Sequence, residues 1–335
     1  MRMHADQLEV SRSTVRALVA DQFPEWADLP VTDLASHGTV NILFRLGDEL
    51  VARLPMQPDD PDVATRRVAQ EVDAARLLLD RVPVPTPEPV ALGRPGPGYP
   101  LPWSVYRWLT GANASPVVAA AAAMGQDPPV VGPDLGADLA EVVLALRDIG
   151  TGGRTFSGEG RGGVLADHDA YVARGLASSA GLIDTEALAG LWARVRTTPR
   201  HEPDTLTHGD LMPGNLLVED GRLAAVLDVG GVGPADPALD LMPAWNLLDP
   251  GARSAFREGL GADDDLWDRG RAWALAQAIG CHAYYRTTNP VMSQTAHHTL
   301  TALLEADDTK ADDTKADDLE ADHIEADEAP PGARS

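Results

Sequence analysis

The sequence predicts an α+β protein of two lobes: a small N-terminal lobe with an antiparallel sheet and a helix, and a larger, mainly helical C-terminal lobe with a hairpin set into it. Three observations carry this expectation. Short apolar and β-branched runs separated by turn residues fill roughly the first 110 positions. Apolar residues recur at helical spacing through most of the remainder. Two short extended runs, Leu216–Val218 and Ala224–Leu227, interrupt that helical stretch.

Taken in order, Val15, Leu18, Val19 and Phe23 fall near one face of a helix over 11–23, with Ser11 or Ser13 as its N-cap. Extended runs follow at Val31–Leu34, Ile42–Leu46 and Leu50–Leu54, and Gly47-Asp48-Glu49 between the last two is a hairpin signal. A helix over Asp62–Asp80, the proline-rich stretch Val82–Pro89 and an extended run at Trp103–Trp108 come next. These readings give an N-terminal lobe over 1–103, a hinge over 104–110 and a helical lobe over 111–304. Residues 111–134, rich in Ala, Pro and Gly, read as a connection. Leu135, Leu139, Val142, Leu146 and Ile149 then mark one apolar helix face. Further helices are expected near 167–180, 185–196, 238–248, 252–260, 266–285 and 293–304. From Ala306 the chain runs in five-residue units, ADDTK, ADDTK, ADDLE, ADHIE and ADEAP. With few apolar residues to offset its ordering entropy, the stretch 305–335 is expected to be a disordered tail.

At 335 residues and 44% hydrophobic, the chain can bury a sizeable core. Its one cysteine, Cys281, cannot form an internal disulfide and sits in an apolar stretch, which favours an inert thiol. The N-terminus lacks the apolar core of a signal peptide and no segment is long and apolar enough to span a membrane, so a cytoplasmic protein is expected. A formal charge of −24 argues against nucleic acid and anionic membrane as partners. The acidic body mildly favours a cationic small-molecule acceptor, with Asp249, Glu258 and Asp263–Asp265 as candidate contacts. Oligomeric state is not legible.

The chemistry is concentrated around the central hairpin, in Thr207-His208-Gly209-Asp210-Leu211-Met212-Pro213-Gly214-Asn215 and Leu227-Asp228-Val229-Gly230-Gly231. Phosphoryl transfer from ATP needs a carboxylate near the acceptor hydroxyl and oxygen ligands for magnesium. Asp210 and Asn215 flank one tight loop and Asp228 ends the following strand, so the three side chains can converge at one end of the hairpin. Alone, each also suits a turn or a cap; together at this spacing they point to a site. His208 reads as loop support, since Asp210 already fills the role of base.

These motifs, with Asp236-Pro237-Ala238-Leu239-Asp240-Leu241, resemble those of the aminoglycoside phosphotransferase family, whose fold is related to the protein kinases. The resemblance covers about residues 25–304. It implies an ATP- and Mg2+-dependent O-phosphotransferase with Asp210 as catalytic base, Asn215 and Asp228 as metal ligands, and Asp236 or Asp240 anchoring the catalytic loop. It places Ser36-His37-Gly38-Thr39-Val40-Asn41 over the phosphates, although this stretch has a single glycine. Where family members carry a phosphate-touching lysine this chain has Arg53, with Glu71 as the partner on the following helix. Ser104 and Tyr106 fall in the hinge, where backbone groups bond adenine, and Val229 stands where phenylalanine is common. The acceptor implied is an aminoglycoside-type antibiotic or related amino sugar. Another metabolite, such as a fructosamine, choline-like amine or sugar, and a non-catalytic nucleotide-binding module are the alternatives. A metal-dependent hydrolase would need more clustered ligands than the scattered histidines offer.

Overall fold

The computed structural model describes residues 6–34, 38–115, 120 and 133–306. Ser36 and His37, most of the 111–134 connection and the tail from 307 onward lie outside the described residues.

The N-terminal lobe is built as its periodicity indicates. Helix α1, Arg12–Gln22, starts at Ser11, whose hydroxyl accepts from Thr14 N at 3.1 Å, and it buries Val15, Leu18 and Val19. Strands β1 (Val31–Asp33), β2 (Asn41–Leu46) and β3 (Leu50–Pro55) follow, with Gly47 at φ +59° in the β2–β3 turn. Helix α2, Pro61–Leu78, is opened by Asp60, which caps the amides of Asp62 and Val63, and by Pro61 in its first turn. With β4 (Pro89–Gly93) and β5 (Trp103–Arg107) the sheet runs β1-β2-β3-β5-β4, antiparallel throughout.

Strand β4, Pro89–Gly93, was not anticipated, because the proline-rich approach to it argues for a loop. Its position explains it: β4 is the edge strand, where Pro89 leaves no ladder partner unmet, and a bulge follows between Pro89 and Ala91. Gly93 lets the buried indole of Trp103 lie directly on the backbone, since a Cβ there would fall 2.0 Å from the ring. Strand β5, Trp103–Arg107, is paired on both edges, to β3 and to β4.

In the C-terminal lobe, α3 (Pro133–Ile149) buries Leu135, Leu139, Val142 and Leu146 and packs along α7 (Pro250–Leu260). Between them lie α4 (Asp169–Ser178) and α5 (Thr185–Val195). The single helix expected over 238–248 is instead a 3-10 turn, Pro237–Leu241, followed by a short helix α6, Pro243–Asn246. Pro243 has no amide to continue the first element and begins the second. Helix α8, Asp264–His282, is buried on nearly all sides, and a final helix α9 covers 290–306. The expected hairpin is β8 (Leu216–Glu219) and β9 (Arg222–Val226), turned by Asp220 and Gly221 at φ +50° and +77°. A two-residue strand β6, Ala112–Asn113, adds to β8, and β7 (Thr205–Thr207) pairs with β10 (Gly233–Ala235).

Two apolar cores result. Phe44, Leu46, Leu54, Ala64 and Trp103 belong to the small one, while Val72, Ala75, Leu78 and Tyr106 join the core of the helical lobe. Helix α2 therefore spans the seam between the lobes.

Candidate active site

Strand β7 delivers the chain into His208-Gly209-Asp210, where Gly209 takes φ +79° and turns the backbone out of the strand. Asp240, buried in the 3-10 turn, accepts from His208 N at 2.8 Å and Gly209 N at 2.9 Å. Burial pushes the Asp240 carboxyl above its ordinary value, while His208, these two amides and Arg147 work to hold it charged. Of the two residues expected to anchor the loop, Asp240 does so. Asp236 caps Ala238 N and accepts from the Trp273 indole and Arg269. His208 supports the loop through both ring nitrogens: Nε2 donates to Leu227 O at 2.9 Å and Nδ1 accepts from Asp210 N at 3.3 Å.

Asp210 and Asn215 face each other across this loop. The Asn215 side-chain amide donates to Asp210 O at 2.9 Å and Oδ2 at 3.0 Å, which directs its own oxygen elsewhere. Leu227 N donates to Asn215 O at 2.7 Å, so the chain leaving β9 passes beside Asn215 before reaching Asp228. Asp228 adopts a left-handed conformation, φ +54° and ψ +56°, turning sharply into Val229-Gly230-Gly231. Val229 is buried, an apolar contact where a larger ring was expected.

Arg53 lies between two carboxylates, with Nη2 at 2.9 Å from Glu71 Oε1 and 2.9 Å from Asp228 Oδ1. Burial opposes its charge, but Glu71 and Asp228 more than offset that and hold the guanidinium protonated. Burial likewise raises the Glu71 carboxyl despite Arg53. For Asp228 burial acts upward, and the charge and hydrogen bond of Arg53 outweigh it, leaving the carboxyl below its usual range. Arg53 Nε is buried without a hydrogen-bond partner.

Ser104 and Tyr106 join this cluster by a different route from the one expected. Both sit inside β5, opposite Arg53 and Val51 on β3, and the chain leaves the sheet only after Trp108 N donates to Glu49 O. Their side chains share the face that carries Arg53, and the Tyr106 hydroxyl donates to Glu71 Oε1 at 3.4 Å. Backbone pairing on both sides of β5 holds Ser104 and Tyr106 within the sheet.

One residue of the site was missed in the sequence. Arg161 Nη2 donates to Asp210 Oδ1 at 2.7 Å and to Gly209 O at 3.3 Å, so both oxygens of Asp210 are engaged. The signal was a lone arginine among glycines, Gly158-Glu159-Gly160-Arg161-Gly162-Gly163. Gly162, at φ +108°, lies where a Cβ would come within 2.5 Å of Ala235, and Asp236 N donates to its carbonyl at 2.8 Å. The loop is therefore seated on β10 and holds Arg161 over Asp210.

The fold is a two-lobed architecture of the protein-kinase-like class. Residues 33–273, more than half of the chain, match the model of the phosphotransferase enzyme family, and the chain belongs to that family. A stretch of 59 residues is 39% identical to aminoglycoside 3'-phosphotransferase of Escherichia coli, covering 17% of this chain and 22% of that relative. The matched region thus spans about a fifth of the curated relatives' length. Among solved structures, aminoglycoside 2'-phosphotransferase-IIIa in its GDP complex superposes with a TM-score of 0.64 at 18% identity, covering 89% of this chain and 100% of that one. Macrolide 2'-phosphotransferase type I gives 0.53 at 16% identity, over 87% and 98% of the two chains. At such identities the superpositions speak to the fold.

Proposed function

We propose that this protein transfers the γ-phosphate of ATP to a hydroxyl of a small molecule, with Asp210 as the general base and Asn215 and Asp228 as ligands of Mg2+. The observation that carries this reading is the convergence of two clusters at one end of the hairpin, Asp210–Asn215 and Arg53–Glu71–Asp228, tied together by His208 and Leu227. The donor set suits the cofactor. Asn215 and Asp228 supply hard oxygens, fitting a magnesium ion whose other ligands are phosphates and water, and Arg53 has an unpartnered buried N–H for phosphate. Mg·ATP would bring the electrophilic phosphorus and a neutralising charge. The chain's part is to fix Asp210 beside the attacking hydroxyl and to hold Asp228 and Arg53 in register.

The acceptor named by the aminoglycoside phosphotransferase relatives is the first candidate, an amino sugar of the antibiotic type. The second is a sugar or other alcohol without ammonium groups, and Arg161 at the proposed base favours it. Turnover on a panel of both kinds, with the product mass confirming phosphate transfer, tests the reading. Asp210→Asn should lower the rate by about 10²–10⁴ with nucleotide binding retained, since a general base acts in the transition state. Asp228→Ala should abolish magnesium-dependent nucleotide binding or turnover. Unimpaired turnover in Asp210→Asn would remove the proposed base.

A further inference from the structure

We propose that the acceptor side of this site selects a neutral or anionic hydroxyl compound over a polyammonium one, with Arg161 as the specificity-determining residue and Tyr171, Arg174 and Tyr284 as the wall beside it. The proposal rests on the phosphotransferase reading above, with Asp210 at the reacting hydroxyl.

The first ground is what Arg161 does to Asp210. An ammonium-rich acceptor is ordinarily drawn to the base by its negative charge, but here a guanidinium 2.7 Å from Oδ1 already occupies that carboxylate. An acceptor amine would have to displace Arg161 or sit against it, and like charges at close range disfavour binding. Arg161 is not free to swing at no cost, because its loop is fastened through Gly162 to Ala235 and Asp236.

The second ground is a groove in the same lobe. About 390 Å³ in volume, it runs between α4 and α8 and is lined by Tyr171, Arg174, Ser178, Ile279 and Tyr284 among others, with no carboxylate among its lining residues. It is a built feature. Tyr171 lies in the notch left by Gly280, where a Cβ would fall 1.7 Å from its hydroxyl oxygen, and α4 and α8 meet closely at Gly175 and Ile279. Tyr171 and Tyr284 are 44% and 66% exposed, large rings left bare on this groove. Rings offer stacking to a flat or apolar scaffold, and Arg174 offers charge to an anion.

The third ground is where the acidic residues went. Asp249 and Asp263 cap the first turns of α7 and α8, Asp264 pairs with Arg257, and Asp265 bonds His201. Four of the five carboxylates that the sequence offers to a cation are thus engaged in holding helices and loops, and Glu258 is exposed on α7.

Three probes that differ chiefly in charge test the proposal: phenyl glucoside, phenyl glucuronide and phenyl glucosaminide. Binding to the full chain with Mg·ADP is measured by calorimetry, and phosphate transfer from Mg·ATP is measured separately by product mass. The glucoside and glucuronide should bind about tenfold or more tighter than the glucosaminide. Arg161→Lys should keep the order, and Arg161→Gln should shrink the difference to about threefold or less. Arg174→Gln should weaken the glucuronide selectively. Equal or tighter binding of the glucosaminide, or no binding of any probe, overturns the proposal and leaves the kinase reading intact. The expected order of binding without phosphate transfer to any probe or to water would instead sink the kinase reading and leave the charge selection standing.

Discussion

Arg53 serves two carboxylates with one guanidinium, and removing it has two separable effects. Arg53→Ala leaves Glu71 largely buried beside Asp228 with no counter-charge. We expect a stability loss of about 3 kcal/mol in urea unfolding, typical of breaking one side of a buried pair. The Michaelis constant for ATP should rise about tenfold or more if the same group meets phosphate, and Arg53→Lys should recover part of both. Near-wild-type values in Arg53→Ala would show that neither role exists. Cys281 offers a simpler check. Burial, with the charge of Asp210 added and that of Arg161 opposing, pushes its thiol up to about 11 from 9.0. Iodoacetamide should therefore modify it about a hundredfold more slowly in the folded chain than in urea at neutral pH, followed by mass spectrometry. The grouping of Asp210, Asn215 and Asp228 about one hairpin was legible because its spacing is local. Arg161 was not, because its meeting with Asp210 spans 49 positions and depends on a glycine loop seated on another strand.

Among the elements, those with a clear period were readable: α1, with its Ser11 cap, and α3, with its row of apolar residues. Those fixed by tertiary neighbours were not. Strand β4 exists because β5 offers an edge and Trp103 needs the bare backbone of Gly93. Gly93→Ala should therefore cost about 2 kcal/mol through forced repacking of that indole, with a changed near-UV spectrum of Trp103. An unchanged unfolding midpoint would mean that the ring yields freely. The division of 238–248 into a 3-10 turn and a short helix was likewise set by Pro243 and by the need to put Asp240 under the loop. Periodicity alone cannot separate those two forms of helix.

For the whole molecule, the lobed architecture followed from the change of period along the chain, while the seam between lobes did not, since it is made by the far half of α2. The stability of the fold should depend on pH through His282, buried against Ser179 and His297. Burial, then His297 and Arg286, lowers its pKa below the ordinary 6.5, so the folded chain holds it neutral while the unfolded chain protonates it. Its contribution is complete above that value and is lost as the pH falls toward the depressed one. Unfolding midpoints should drop between about pH 7 and pH 5 more steeply in the wild type than in His282→Gln. Parallel curves would exclude the linkage. Removing residues 307–335 should leave the melting temperature unchanged within a few degrees, as their composition supplies almost no apolar area to bury.

Gly230 carries a mechanical implication. A Cβ on it would meet the Glu71 side chain at 3.2 Å, so α2 rests through Glu71 on the bare backbone of the turn that follows Asp228. Such a bearing lets one body roll on another and forbids sliding. If the two lobes open and close, the axis must run close to this point, so spin labels on α2 and in the 229–231 turn should keep a fixed separation. Labels far from it, on β1 and α7, would then trace the full arc of the motion.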